Sequence, residues 1–386
     1  MTEPPAASPP PPPPPPLLPR PAPPPSRPAG SGVGCLFGLS VLLNILFFVI
    51  VGGLFLVILA GISADDLDTR LREKFHSGTV SSHNKVAIIE IDGILFEGAI
   101  DFPRKQIEQA MKDEHVKAVV VRINSPGGSI TASDELHRRL TELVQGKDDH
   151  PARPAVVSMG ALAASGGYYV AMPCKPLYAE PTTLTGSIGV FASFPNVKEL
   201  GDKIGFKMET VQAGAVKTAG SPFKEMTPQE RQLWQDMVDH AYDQFLDVVR
   251  KGRPDIKDEL KEVVIRKTIT VRDKEGTVKE EPYVRTRVDG GIFTADQAEK
   301  FKLIDKIGYL EDAIKDAAAQ AGLGSDYQAV KYERPKSLAE RLLGVQSAQQ
   351  SAALDPSRLS AAAVPRLWYL APQSELAGIL TAAGRP

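Results

Sequence analysis

The chain has 386 residues, of which 42% are hydrophobic and 24% charged, enough for one sizeable domain or two small ones. A net charge of −2 gives no electrostatic reason to bind nucleic acid. Only two cysteines occur, Cys35 and Cys174, which excludes an intradomain disulfide framework.

Residues 1–32 open the chain with about half of its 33 prolines, including "PPPPPPPP". Such a run lacks backbone donors and apolar bulk, so it predicts a disordered, mostly polyproline II tail, a spacer more than an SH3 or WW ligand. From Pro28 to Ala64 there is no charged residue, and "CLFGLSVLLNILFFVIVGGLFLVILAGI" (35–62) is nearly all apolar. At about 1.5 Å per residue this predicts a transmembrane helix that spans a ~30 Å hydrocarbon core with tilt. The stretch is too long for the apolar part of a cleaved signal peptide, and "SADDLDTR" after it is no convincing cleavage site, so it should stay as an anchor in membrane lipid. Arg20 and Arg27 precede the span, whereas Asp65, Asp66 and Asp68 follow it. The positive-inside rule then places the N-terminus in the cytoplasm and the bulk of the chain on the other side.

After a linker at 63–83, residues 84–325 alternate strand-like and helix-like patterns. "KVAIIEIDG" reads as a buried strand, "RKQIEQAMKDE" as a helix, "VKAVVVRIN" as a strand and "ASDELHRRLTELVQG" as a helix with Leu136, Leu140 and Leu143 on one face. The strand "PAVVSMG" follows, then a small-residue helix beginning near Ala163. This alternation predicts an α/β fold built from crossover units. "MTPQERQLWQDMVDHAYDQFLDVVRKG" predicts a helix with Thr227 as N-cap, Pro228 in the first turn, Glu230 closing a capping box and Gly252 as stop. "ITVRDKEGTVKEEPYVRTRV" (269–288) predicts an inserted, exposed hairpin, and "FTADQAEKFKLIDKIGYLEDAIKDAAAQAG" two capped helices. Residues 326–386 predict a largely disordered tail, apart from "RLWYLAP" (366–372), whose aromatic pair reads equally as docked on a surface or the membrane and as an unremarkable exposed segment.

The chemistry gathers around "ALAASGGYYV" (161–170), where Ser165 sits between alanines and glycines. A serine hydroxyl needs a base to become a nucleophile. The six histidines, His76, His83, His115, His137, His150 and His240, all lie outside Gly-rich or turn-bounded motifs, and there is no metal motif such as HExxH. The other base that pairs with serine is a lysine, buried among apolar groups so that its pKa falls from the ~10.4 of a free side chain. Lys217 in "VQAGAVKTAGSPF" (211–223) has such small and apolar neighbours. An oxyanion hole of backbone N–H groups fits "RINSPGGSI" (122–130), where Gly127 and Gly128 permit close approach at the start of a helix; taken alone, that segment reads first as a plain strand-to-helix turn.

Together, "NSPGGS", "ALAASGGYY" with "TGSIGV" after it, and "KTAGSPFKEMTPQER" closely resemble the signal peptide peptidase A (protease IV) family of membrane-bound serine proteases, peptidase family S49. The resemblance covers roughly residues 84–325 and matches the short form with one protease domain. It implies a crotonase-like or Clp-protease-like superhelix of β-β-α units, Ser165 as nucleophile and Lys217 as general base. It also implies an oxyanion hole from the N–H of Gly127 or Gly128 and that of Gly166, with Ser187 and Gly189 in the strand lining the substrate groove. Ser187 is the rival nucleophile, while Ser125, Ser129 and Ser221 suit turns and caps. No cofactor or metal is implied. The partners implied are signal peptides or other membrane-associated peptides and further copies of the chain, with Lys217 serving its own Ser165 or a neighbour's, at a bacterial inner membrane. A crotonase-like acyl-CoA enzyme and an inactive membrane scaffold of the same fold are the alternatives.

Overall fold

The computed structural model describes residues 38–53, 70–272, 276–334 and 368–370. The chain divides into two compact units, Met1–Leu67 and Asp68–Pro386. In the first, residues 38–53 form helix α1 with an exposed apolar surface. The rest of the expected span at 35–62, the Pro-rich tail, most of the C-terminal tail and residues 63–69 of the linker lie outside the described residues. Among the described residues, no helix is long and apolar enough to cross a membrane.

The second unit is a mixed α/β fold on a parallel-rich sheet. Its central strands are β2 (Lys85–Asp92), β3 (Val116–Ser125) and β5 (Ala155–Ala164), joined in parallel register with Val86 opposite Ala118 and Val120 opposite Val156. These runs are rich in valine and isoleucine because both faces are covered. Side chains of alternate residues point to opposite faces. On one face Val86, Ile88, Val120 and Val156 pack with Ala313, Ile314 and Ala317 of α8 (Leu310–Gln320). On the other, Ile89, Val121 and Val157 pack with Ile107 of α2 (Asp101–Lys112) and Leu136 and Leu140 of α3 (Ile130–Gln145). Each such aliphatic side chain, fully buried, stabilises the fold by about 1.5–3 kcal/mol.

The sheet continues from β5 to β6 (Leu177–Ala179) and β11 (Lys306–Ile307), while β7 (Leu184–Gly186) pairs with the C-terminal part of β5 and with β10 (Ile292–Thr294). Helix α6 (Pro228–Gly252) has the expected capping box: Glu230 N–H donates to Thr227 Oγ1 at 3.3 Å, and Thr227 N–H to Glu230 Oε2 at 3.0 Å. The helix ends at Gly252, as expected, and the glycine has a packing role as well. It lies in the last turn facing Met172, whose sulfur would be 2.8 Å from an added Cβ, so its smallness serves packing.

The domain is wider than 84–325. β1 (Arg72–Gly78) falls in the expected linker and pairs antiparallel with β12 (Gln328–Glu333) from the expected tail, and β12 pairs in parallel with β2. Charges masked both strands in the sequence: β1, an edge strand with one solvated side, carries Arg72, Glu73 and Lys74, and β12 carries Glu333 at its end and Lys331, whose ammonium meets Glu90 at 2.8 Å. The inserted hairpin also starts earlier, as β8 (Val263–Arg272) and β9 (Val278–Thr286). Its six extra residues include Val263, Val264 and Ile265, of which the last two pack on the core cluster.

Candidate active site

β5 ends on the small residues Ala163 and Ala164, and the chain then turns at Ser165 into α4 (Gly166–Ala171). The expected helix start near Ala163 thus moves three residues on, because Ala163 and Ala164 are still paired to β7. Ser165 has φ 54° and ψ −117°, a conformation that costs an L-residue of order 1–3 kcal/mol and persists only where surrounding structure imposes it. Two backbone bonds impose it: Ser165 N–H donates to Gly186 O at 2.8 Å, and Tyr169 N–H donates to Ser165 O at 2.9 Å. The residue is 1% exposed, and its Oγ is buried without a hydrogen-bond partner. A buried hydroxyl left unpaired costs a further ~1–3 kcal/mol. Strain and an unused hydroxyl meet in one residue on a strand-to-helix elbow, an arrangement typical of nucleophiles.

The glycines of "NSPGGS" lie beside this elbow. Ser125 is in register with Ala163, and a Cβ on Gly167 would come within 2.7 Å of Ser125 O. Gly127 and Gly128 form not a bare turn but a short strand, β4 (Gly127–Ser129), leading into α3. Gly127 has φ 94° and donates its N–H to Ser125 Oγ at 3.1 Å, while Ser125 Oγ donates to Gly93 O at 2.6 Å. Gly128 lies flat against Leu95: an added Cβ would be 1.8 Å from Leu95 O, so no other residue fits without moving backbone. Leu95 N–H donates to Gly127 O at 2.9 Å and Ser129 N–H to Leu95 O at 2.7 Å. Ser129 caps α3, accepting from Ala132 N–H at 3.2 Å. Gly166, first residue of α4, has no intrahelical acceptor for its N–H.

Ser187 follows β7 and also has positive φ, 52°, yet its hydroxyl is engaged, donating to Gly290 O at 3.0 Å. That bond distinguishes it from Ser165. Gly189 touches Gly290, whose Cα would be 2.9 Å from a Cβ there. Ser187, Gly189, Val190, Tyr242 and Val288 line an open cavity of about 610 Å³. A neighbouring cavity of about 510 Å³ shares Val238 with it and is lined by Phe194, Trp234, Gly220 and Ser221.

Lys217 stands three residues before Gly220, on a turn where its N–H donates to Gly214 O at 3.2 Å. Its side chain is exposed, and no hydrogen bond joins it to Ser165 Oγ. The structure therefore brings together Ser165, Gly127, Gly128, Gly166 and the β7 segment, and leaves Lys217 in solvent in the single chain. Among the described residues, no group of three or more His, Cys, Asp or Glu could hold a metal ion. His137 packs against Tyr169, ring centroids 5.1 Å apart, and burial pushes its pKa down. What sequence reasoning missed is the support: Gly186 O holding Ser165, and Gly290 and Gly291 O holding Ser187.

The family model described as peptidase family S49 matches residues 147–272. A Synechocystis protein named "Putative protease" is 33% identical over 277 residues, covering 71% of this chain and 88% of its own. The chain belongs to peptidase family S49.

Other relatives of the chain are the Enterococcus faecium protein named "Putative signal peptide peptidase SppA" and protease 4 of Haemophilus influenzae. The first is 30% identical over 66% of this chain and 68% of its own. The second is 35% identical over half of this chain, and the match spans only 31% of that longer protease. The S49 match takes in Ser165, Ser187, Gly189 and Lys217, while Gly127 and Gly128 precede it.

Proposed function

We propose that the chain is a serine endopeptidase of the S49 family in which Ser165 is the nucleophile and Lys217 the general base. The observation that carries this reading is Ser165 itself, strained, buried and with its hydroxyl unpartnered at the end of β5. Lys217 as a neutral amine takes the Ser165 proton while Oγ attacks the scissile carbonyl. The protonated Lys217 then gives that proton to the leaving amine as the C–N bond breaks, and water, deprotonated by Lys217, hydrolyses the acyl-enzyme. Since Gly127 N–H is already bonded to Ser125, the N–H groups of Gly128 and Gly166 are the pair proposed to receive the oxyanion. Ser187 and Gly189 line the groove for substrate residues.

The substrates we assign are remnant signal peptides or other membrane-associated peptides, in keeping with the name of the Enterococcus relative and the uncharged apolar run from Pro28 to Ala64. That run is proposed as a single-pass anchor with a cytoplasmic N-terminus, ahead of a β-β-α superhelix of the crotonase or Clp-protease kind. Exposure of Lys217, with Ile204, Phe206, Met208 and Val211 exposed nearby in sequence, favours a homo-oligomer in which a second copy covers this segment and desolvates the ammonium.

The test compares wild type, Ser165→Ala, Lys217→Ala and Ser187→Ala on casein and signal peptides in detergent, across pH. The first two substitutions should lower kcat at least about 10³-fold, Ser187→Ala should leave most of it, and wild-type kcat/KM should rise toward alkaline pH. Undiminished cleavage by Lys217→Ala removes the proposed base, and a folded wild type that binds peptides without cutting them is a scaffold.

A further inference from the structure

The loop that holds Ser187 is itself fastened to the foot of the inserted hairpin. Arg285, last but one in β9, is partly buried and forms a two-pronged pair with Asp289: Nε donates to one carboxylate oxygen, and Nη2 to the other at 3.0 Å. Such a fork fixes direction as well as distance. The guanidinium also donates from Nη1 to Tyr283 Oη at 3.2 Å and from Nη2 to Ile292 O at 3.4 Å, and its centre lies 4.7 Å from the centroid of the Phe293 ring. Asp289 in turn accepts from Thr286 N–H at 3.3 Å and from Gly291 N–H at 3.0 Å.

These bonds fix residues 289–291, and the wall of the proposed groove depends on them. Ser187 N–H donates to Gly291 O at 2.9 Å and Ser187 Oγ to Gly290 O at 3.0 Å, while Asp289 and Gly290 line the cavity of about 610 Å³ together with Ser187 and Gly189. Gly291 makes room for the same clamp. Its φ lies outside the left-handed region, yet an added Cβ would stand 2.0 Å from Arg285 Nη2.

We infer that Arg285 is a positioning residue for the substrate groove, acting through Asp289, Gly290 and Gly291 on Ser187. The inference rests on the peptidase reading of that groove, and it gives the inserted hairpin a role: its foot supplies the cation that sets the groove wall. The Ser165 elbow depends on Arg285 less. Phe293, which abuts Gly186, keeps its pairing with Thr185 and its contact with Phe301, ring centroids 5.5 Å apart, when the guanidinium is gone. Loss of Arg285 should therefore weaken peptide binding and spare the chemical step.

The test compares wild type, Arg285→Ala, Arg285→Lys, Gly291→Ala and the Arg285→Ala/Gly291→Ala double variant in the full chain, in detergent, with thermal melting to check the fold. On a fluorogenic signal peptide, Arg285→Ala and Gly291→Ala should each raise KM about tenfold with kcat within about twofold. Arg285→Lys, which keeps the charge without the fork, should lie between them and wild type. Because both substitutions break one clamp, the double variant should be no worse than Arg285→Ala. A merely structural loss would instead lower kcat through the folded fraction and leave KM alone. An unchanged KM, or two tenfold losses that multiply to about a hundredfold in the double variant, overturns the inference. Should Arg285→Ala melt early, Arg285→Lys and Gly291→Ala carry the same comparison. Hydrogen exchange needs no activity: residues 184–191 should exchange faster in Arg285→Ala while 155–164 stay protected. If wild type cleaves no peptide, the peptidase reading fails and this exchange alone decides whether Arg285 holds Ser187; equal protection in the two proteins overturns it.

Discussion

Ser165 combines two costs that a residue chosen for stability would avoid: a positive φ and a buried hydroxyl without a partner. Glycine adopts φ 54° without Cβ strain and brings no hydroxyl, but it gives the unfolded chain about 0.5–1 kcal/mol more entropy to lose. Setting ~2–4 kcal/mol of relieved strain and desolvation against that loss, Ser165→Gly should raise stability by about 1–3.5 kcal/mol. Ser165→Ala, which removes the hydroxyl and keeps the strain, should gain less. Urea unfolding of the three proteins checks the order, and a Ser165→Gly protein less stable than wild type would mean the elbow is not strained. Ser187 is the internal control, since its equally positive φ carries a hydroxyl bonded to Gly290 O.

At the scale of elements, the end of α6 is tied to β6 and β11 through one ion pair, of buried Arg253 with the more exposed Asp305. Arg253 Nη1 meets Asp305 at 2.8 Å, and Leu177 N–H donates to Asp305 Oδ2 at 2.7 Å. Burial alone would push the Asp305 pKa up; the hydrogen bonds from Arg253 and Leu177 outweigh it and hold the carboxyl below its usual range. A depressed folded pKa contributes stability that is fully present above the unfolded value of about 3.9 and is lost as pH falls through the lower folded value. Asp305→Asn should therefore melt below wild type at pH 7, with the gap shrinking as pH drops below about 4; a gap that stays constant with pH would show that Asp305 does not titrate with folding. The elements here were unevenly legible in the sequence. The Val/Ile runs of β2, β3 and β5 and the Thr227 capping box declare themselves locally, because their causes lie within a few residues. β4 and the strand that pairs with it, β13 (Trp368–Leu370), do not, since three-residue strands are made by their partners. Lys217 was picked out by its apolar neighbours, yet composition says nothing about which surface of the fold they occupy, and in the single chain it is solvent.

The whole catalytic unit is closed by strands from its two ends. A chain that begins at residue 84 lacks β1 and exposes the edge of β12, which pairs β1 from Arg72 opposite Glu333 to Gly78 opposite Gln328. It also lacks Glu73, one of the two carboxylates, with Asp113, that Lys85 Nζ meets at 2.8 Å. Such a chain should aggregate more readily and melt several degrees lower than one starting at residue 70, a difference that light scattering and calorimetry would measure. Equal behaviour of the two would make β1 dispensable.

That antiparallel pairing also sets how the unit responds to force. Residues 72 and 333 lie side by side at the same end of the ladder, so tension drawing the incoming and outgoing chain apart does not load all its rungs at once. It opens them singly, from Arg72–Glu333 inward, as a zipper opens. Mechanically the outer strand is thus the weakest seam of the domain, and a pull on its ends would peel β1 away while the parallel strands behind it, which carry the Ser165 elbow, remain in place.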